Sequence, residues 1–102
     1  MNPTQLTLRE LRKRGGYVSK VEYWNNFANR RIDAFGIIDV LYLPPEGPLQ
    51  GIQVTSYTNH AARRNKAQSK PELEAWKKSG CEFWIHSWRK VKNRWVLREE
   101  KL

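Results

Sequence analysis

Cysteine and long apolar runs are what this sequence most lacks. Cys81 is the single cysteine among 102 residues, so an internal disulfide and a multi-thiolate zinc site are both excluded. No apolar run approaches the roughly 20 residues of a membrane-spanning helix. The stretch MNPTQLTLRELRKRGG lacks the apolar segment of a secretion signal. We therefore expect a cytoplasmic protein with no membrane partner.

Signatures of several enzyme classes are missing as well. The sequence contains no glycine-rich phosphate loop and no Ser, His and acid grouping suited to acyl transfer. His60 and His86 lie far apart and outside spacings such as H-x-x-x-H, so no zinc site is predicted. His86 alternates with Trp84 and Trp88, a pattern that favours a structural role.

Acidic residues are few beside the basic ones. Ten Asp and Glu face 19 Lys and Arg, which gives a net charge of +9, and a field of that sign attracts polyanions. Nucleic acid is the expected partner, since no long amphipathic helix with a broad apolar face suggests a membrane surface. The cations form three groups, which are Arg9 to Arg14, Arg30-Arg31, and Arg63 to Lys70.

The length and the 39% hydrophobic content allow one modest core, so we predict a single domain over residues 1–102. Asn2-Pro3 can begin a helix whose leucines form a short stripe and which should stop at Gly15-Gly16. Alternating residues from Tyr17 to Trp24 predict a strand with one wet face. The polar NNFANRR that follows predicts a loop.

A hairpin is the clearest structural signal. Phe35 to Leu43 is β-rich and apolar on both faces, which predicts a central strand. The turn PPEGP cannot continue a ladder and should return the chain antiparallel into Leu49 to Ser56.

The second half predicts a crossover and another hairpin. Asn59 to Gln68 is basic and compatible with a helix, and Ser69-Lys70-Pro71-Glu72 reads as a capping box that opens a helix ending at Gly80. Glu82 to Trp88 and Arg94 to Arg98 predict two strands. The predicted order is α, β, β, β, α, β, β, an α/β fold with a central mixed sheet flanked by helices.

Asp39 is the residue that most needs an explanation. A carboxylate among large apolar residues is costly to bury unless it is paired or binds a metal. In the next strand, Gln53 and Thr55 fall on one face, so a polar cluster with Asp39 is a candidate metal site. Asp33 can add a ligand at its mouth or pair with a neighbouring arginine. Asp39 can instead be a structural acid bonded to the backbone or to Arg31.

This layout resembles a nuclease superfamily. A helix with Glu10, a strand with Asp39, Gln53-x-Thr55 one hairpin later and then a basic helix resemble the PD-(D/E)XK nucleases, whose fold is restriction-endonuclease-like. The small archaeal Holliday-junction resolvases are similar in size and element order. Small uncharacterised bacteriophage proteins with FG-x-x-D and Q-x-T are similar too, and a phage origin would imply the host cytoplasm. The resemblance implies Mg²⁺, with Mn²⁺ able to substitute, a DNA substrate and a homodimer.

The resemblance also assigns roles. Asp39, Gln53 and Glu10 would be metal ligands, and Thr55 stands where the family has its lysine. Thr55 cannot supply a positive charge, which leaves two hypotheses. Either a displaced cation acts, from Lys20 or from Arg63, Arg64 or Lys66 in the following helix, or the site is inactive and only a DNA-binding surface remains.

Two acids carry local alternatives. Glu10 follows Thr7 by three residues and can close a capping box instead of binding metal. Glu22 can reach the site or serve as a solvated cross-strand partner.

The expected function is a metal-dependent DNA endonuclease selective for branched or distorted structures. A catalytically inactive DNA-binding protein and a basic phage protein that inhibits a nucleic-acid enzyme are the alternatives. Tryptophans 84, 88 and 95 can stack on unpaired bases or pack the helix on the sheet. The predicted phosphate contacts are Arg30, Arg31, His60, Arg63, Arg64, Lys66 and Lys70.

Overall fold

Five strands form one mixed sheet in the computed structural model of the protein, which describes residues 1–102. The spatial order is β1-β4-β5-β6-β7, and every pair is antiparallel except β5 and β6. A separate two-stranded hairpin, β2 and β3, stands outside this sheet. The strands are β1 Tyr17–Lys20, β2 Tyr23–Asn25, β3 Arg30–Ile32, β4 Val40–Leu43, β5 Gln50–Ser56, β6 Glu82–Val91 and β7 Arg94–Lys101.

Helix α1, Pro3–Arg14, precedes the sheet. Asn2 caps it, because its side chain accepts a hydrogen bond from the Gln5 N–H and the Gln5 side-chain oxygen accepts one from the Asn2 N–H. Gly16 follows with φ +85°, and a Cβ there would lie 2.1 Å from the Leu43 carbonyl oxygen. Only glycine fits this exit, so the predicted stop at Gly15-Gly16 is confirmed.

Helices cover both faces of the sheet. Leu11 of α1 packs with Val40, Tyr42 and Ile52 on one face. On the other face Phe83 and Ile85 pack with residues of the two crossover helices, including Ala67 and Leu73. Because side chains alternate along β6, this strand contributes to both cores. The helices are α2, His60–Gln68, and α3, Pro71–Lys78.

The predicted crossover consists of two helices. A 3₁₀ turn, Tyr57–Asn59, leads into α2, and α3 follows after Ser69 and Lys70. The expected capping box at Ser69 is wrong, since Lys70 is the N-cap and the Ser69 hydroxyl donates instead to the Lys66 carbonyl, at 2.7 Å. Proline at the first position of α3 is confirmed.

The segment between β1 and β4 differs most from expectation. The predicted strand from Tyr17 to Trp24 is two short strands, β1 and β2, and the predicted NNFANRR loop contains β3. The predicted strand from Phe35 begins only at Val40, because Phe35 and Gly36 have φ +58° and +74° and turn the chain. Asp39 therefore lies immediately before the first residue of β4 instead of inside a strand.

The α/β class and the mixed sheet flanked by helices are confirmed. If the β2–β3 hairpin is left out and α2 and α3 are counted as one crossover, the elements of the main sheet follow the predicted order α, β, β, β, α, β, β. None of the helices is long and apolar enough to cross a membrane.

Candidate active site

Asp39 lies where the sheet opens between β4 and β5. Its backbone joins both neighbours, because its N–H donates to the Ile52 carbonyl and its carbonyl accepts from Val21, each at 2.9 Å. The side chain is 4% exposed. Its Oδ2 accepts hydrogen bonds from Gln53 Nε2 at 2.9 Å and from the Val54 N–H at 2.8 Å. The backbone and β5 thus fix the carboxylate rigidly.

The environment of Asp39 disfavours its negative charge. The pKa of Asp39 is raised from 3.8 to about 7. Burial is the main cause, and the nearby charges of Glu22 and Asp33 add to it, while the hydrogen bonds from the Val54 N–H and Gln53 act in the opposite direction. Both hydrogen bonds use Oδ2, so Oδ1 takes none from the protein. Every fully buried side-chain oxygen in the protein has a hydrogen-bond partner. Because Oδ1 has none, it is not fully buried, and it faces the adjoining cleft, which Asp39 lines.

This cleft is an open cavity of about 460 Å³ between the start of α1, the root of the β2–β3 hairpin, the sheet and α2. Val54 and Pro3 are its least polar residues, and three acids face three cations across it. The remaining lining residues are Asn2, Thr4, Glu22, Arg31, Asp33, Asp39, Gln53, Arg63 and Lys66.

Glu22 belongs to the cleft and is not a solvated strand residue. It lies between β1 and β2 and is buried. Its Oε1 accepts a hydrogen bond from Thr4 Oγ1 at 2.9 Å and lies 3.4 Å from a terminal nitrogen of Arg31. Arg31 therefore pairs with Glu22 and not with Asp39. Asp33 also lines the cleft, and no salt bridge joins it to an arginine.

The structure brings together several of the predicted site residues. Asp39 and Gln53 are in direct contact, and Asp33 shares their cleft. Arg31, Arg63 and Lys66 of the predicted phosphate-binding set also line it.

Thr55 and Lys20 fall outside this group. Thr55 is buried beside Ser87 on β6 and does not line the cleft. Lys20 is exposed on β1, opposite Val40, and is not a lining residue either.

Glu10, predicted as a metal ligand, lies away from the cleft. The cleft lies at the N-terminus of α1, and Glu10 is six residues beyond Thr4, about 9 Å along the helix axis. It pairs with Arg14 at 3.1 Å and lines a different groove, near Trp95. The alternative capping box fails too, since Thr7 lies inside the helix and its Oγ1 accepts from Trp88 Nε1 at 2.9 Å.

His60 is wrongly predicted to contact phosphate. It is 1% exposed, with Nδ1 2.6 Å from Ser87 Oγ and Nε2 2.8 Å from Glu100 Oε1. Arg64 lies 3.3 Å from the same Glu100 oxygen. Both residues therefore anchor α2 to β7. The buried His86 has the expected structural role, between Thr7 and Glu99.

Arg30 and Lys70 flank a smaller groove beside the cleft. Arg30 lines it together with Asp33 and Gly36, and the Lys70 Nζ lies so close to Gly36 that a Cβ there would meet it at 2.5 Å. These two cations extend the basic surface away from the cleft.

The cleft offers oxygen donors suited to a hard cation. Asp39 Oδ1 is free, and Glu22 and Asp33 add carboxylates whose charges raise the pKa of Asp39, which a cation would relieve. No group of three or more His, Cys, Asp or Glu side chains is arranged to hold a metal ion. Mg²⁺ is commonly held by one or two carboxylates and otherwise by water and phosphate, and the donor set fits that mode.

Sequence reasoning missed the part of the site that α1 supplies. Asn2, Pro3 and Thr4 border the cleft because the cap and first turn of the helix face Glu22. The sequence identified the Asn2-Pro3 start of α1, but no local pattern shows that this first turn would face Glu22.

No protein-family model matches the chain. The search of curated proteins and the search of solved structures likewise gave no match.

Proposed function

We propose that the cleft binds Mg²⁺ or Mn²⁺ and that the protein is a DNA endonuclease selective for branched or distorted structures. The observation that carries this proposal is Asp39, a buried carboxylate fixed by Gln53 and the Val54 N–H, with Oδ1 free toward a cleft that cations line. A purely structural acid would gain by using both oxygens.

In this proposal the residues of the cleft have three roles, which are binding the metal ion, orienting Asp39 and binding phosphate. Asp39 Oδ1 and Glu22 or Asp33 would hold the ion, which polarises a phosphodiester and lowers the pKa of an attacking water. Gln53 orients the Asp39 carboxylate through its 2.9 Å hydrogen bond. Arg63 and Lys66, on the α2 wall, would hold the phosphate backbone.

The displaced-cation hypothesis now has preferred candidates. Thr55 lies outside the cleft and Lys20 is not a lining residue, whereas Arg63 and Lys66 line it. Arg64 is engaged by Glu100. In the nuclease family a lysine supplies a positive charge at the site. We therefore propose that Arg63 or Lys66 supplies this charge here.

The first test is cleavage of labelled duplex, single-stranded and four-way-junction DNA in Mg²⁺ and in Mn²⁺. We expect metal-dependent cutting that Asp39→Ala abolishes and that Lys66→Ala or Arg63→Ala lowers at least tenfold, the usual scale for a lost electrostatic contact at a reacting group. Glu22→Gln should also lower metal-dependent cutting, and Glu10→Gln is its matched control, since only Glu22 lies in the cleft. Mn²⁺ should also raise the melting temperature of the wild type and not of Asp39→Ala.

The main alternative is a DNA-binding protein without catalysis, which Thr55 favours because it supplies no cation. Binding without cutting in either metal, with no Mn²⁺ effect on melting, would establish it. A protein that inhibits a nucleic-acid enzyme would bind no bare DNA. A cytoplasmic location and a homodimer, which would place two clefts on two strands, belong to the same proposal.

A further inference from the structure

The β2–β3 hairpin, residues 23–32, is an unusual exposed element. Its strands pair only with each other, so no third strand pairs with either edge. Phe27 at the tip is fully exposed, and Tyr23 and Trp24 are 56% and 55% exposed. An isolated hairpin is marginal in water, and three large aromatic side chains on one such element indicate a surface that binds something.

The turn holds Phe27 outward. Asn25 Oδ1 accepts hydrogen bonds from the N–H groups of Phe27 and Ala28, each at 2.9 Å. Asn29 closes the turn with φ +52°, a conformation that asparagine tolerates better than most residues. The side chain at the tip is thus presented by a structured turn.

The hairpin is rooted in the cleft. Glu22 precedes β2, Arg31 lies within β3 and Asp33 follows that strand, and all three line the cleft. Whatever lies along the hairpin is therefore continuous with whatever occupies the cleft.

The positive charge of the hairpin favours an anionic partner. Residues 23–32 contain no acid, and Arg30 and Arg31 are exposed cations. Arg31 lies directly across from Trp24, and Arg30 across from Asn25. Exposed cations beside aromatic rings are suited to a nucleic-acid strand, whose phosphates contact the cations while its bases stack on the rings.

We propose that this hairpin stacks on unpaired bases of the DNA whose backbone enters the cleft. In a regular duplex the faces of the bases are already stacked, so the rings of Trp24 and Phe27 have no face to contact. A fork or branch offers unpaired bases beside paired DNA. The inference rests on the proposed function and gives its structural selectivity a physical basis.

The test measures binding in the presence of a chelator, so that no cutting occurs. Fluorescence anisotropy would compare a blunt duplex with a forked duplex of the same sequence. For Trp24→Ala/Phe27→Ala we expect at least roughly tenfold weaker binding to the fork, as for the loss of stacked bases, and about unchanged binding to the blunt duplex. Trp95→Ala is the matched control, because Trp95 is also exposed beside a lysine but lines a different groove.

Several results would overturn the inference. Equal losses on both DNAs, or no loss on either, would mean that the rings do not select unpaired bases. A wild-type dimer that becomes a monomer in the double variant, measured by sedimentation, would mean that the hairpin docks against a second copy. The two proposals fail separately: a wild type that cuts nothing but prefers forks through the hairpin refutes only the endonuclease. A junction-cutting enzyme indifferent to the double substitution refutes only the stacking.

Discussion

At the residue scale, Asp39 is a group whose charge the fold opposes. Its folded pKa of about 7 lies above the ordinary 3.8, so between these values the folded state binds more protons than the unfolded state. The contribution of Asp39 to the free energy of unfolding therefore falls as pH rises from 3.8 through 7. This cost of burying the charge is the reason that the proposed metal site is built on Asp39.

This gives a prediction for Asp39→Asn in the presence of a chelator. Asparagine keeps the shape, and its side-chain oxygen can accept from the Val54 N–H, but it carries no charge to bury. The gain in unfolding free energy over the wild type should be about 2 kcal/mol larger at pH 8 than at pH 5. Urea denaturation at both pH values measures it.

The control for this prediction is Glu46→Gln in the exposed turn between β4 and β5, which should shift stability little at either pH. An Asp39→Asn protein less stable than the wild type by the same amount at pH 5 and pH 8 would contradict the account.

Asp39 and Gln53 were predictable because burial of a carboxylate demands a partner, and strand periodicity limits the choice. Glu10 was not, since sequence spacing along α1 does not tell which end of the helix meets the sheet opening. His60 was misjudged for a related reason. Its burial depends on Glu100 of β7, forty residues later in the chain and invisible to any local pattern.

At the scale of elements, Gly51 on β5 sets how closely the crossover packs. A Cβ at this position would lie 2.7 Å from Ile38 Cδ1, 2.9 Å from Ile38 Cγ1 and 3.0 Å from Trp76 Cζ2. Trp76 is itself fixed, because its Nε1 donates to the Glu82 carbonyl at 2.8 Å. Neither neighbour can move freely, so the missing side chain lets α3 lie against the sheet.

Gly51→Ala should therefore lower the free energy of unfolding by about 1–3 kcal/mol, the usual range for overpacking. Ile38→Val removes the nearest atom, so Gly51→Ala/Ile38→Val should be less destabilised than the sum of the two single variants. Urea denaturation of the four proteins closes the cycle. Additive effects would mean that Ile38 is not the obstacle.

The elements that sequence patterns predicted well are those with local signals. The turn between β4 and β5 and the glycine stop of α1 follow from backbone chemistry alone. The error from Phe35 to Asp39 arose because apolar residues also fill a turn whose side chains reach the core. Ile37 and Ile38 are both buried there without belonging to a strand. Apolar content predicted burial correctly and secondary structure wrongly.

At the scale of the whole molecule, the +9 charge and the balanced cleft have separate roles. The cleft's three cations and three acids nearly cancel. Under the proposed function, long-range attraction of DNA would depend on cations spread over the rest of the surface, while Arg63 and Lys66 would make local contacts with phosphates. Contacts of this kind recognise the phosphate backbone and carry little base-sequence information. The proposed selectivity for a DNA structure would then come from shape, at the cleft and its hairpin.

The final prediction concerns salt. If the protein binds duplex DNA through phosphates, its association constant should fall by several orders of magnitude between about 50 mM and about 200 mM salt, since each contact releases counterions. Arg63→Gln and Lys66→Gln should each lower the slope of the log–log plot by about one, because both line the cleft. Lys13→Gln is the control, as Lys13 lines the groove near Trp95 and not the cleft. An association constant that barely changes with salt would exclude phosphate contacts as the source of affinity. The +9 charge would then have to serve an acidic protein partner, as the inhibitor alternative requires.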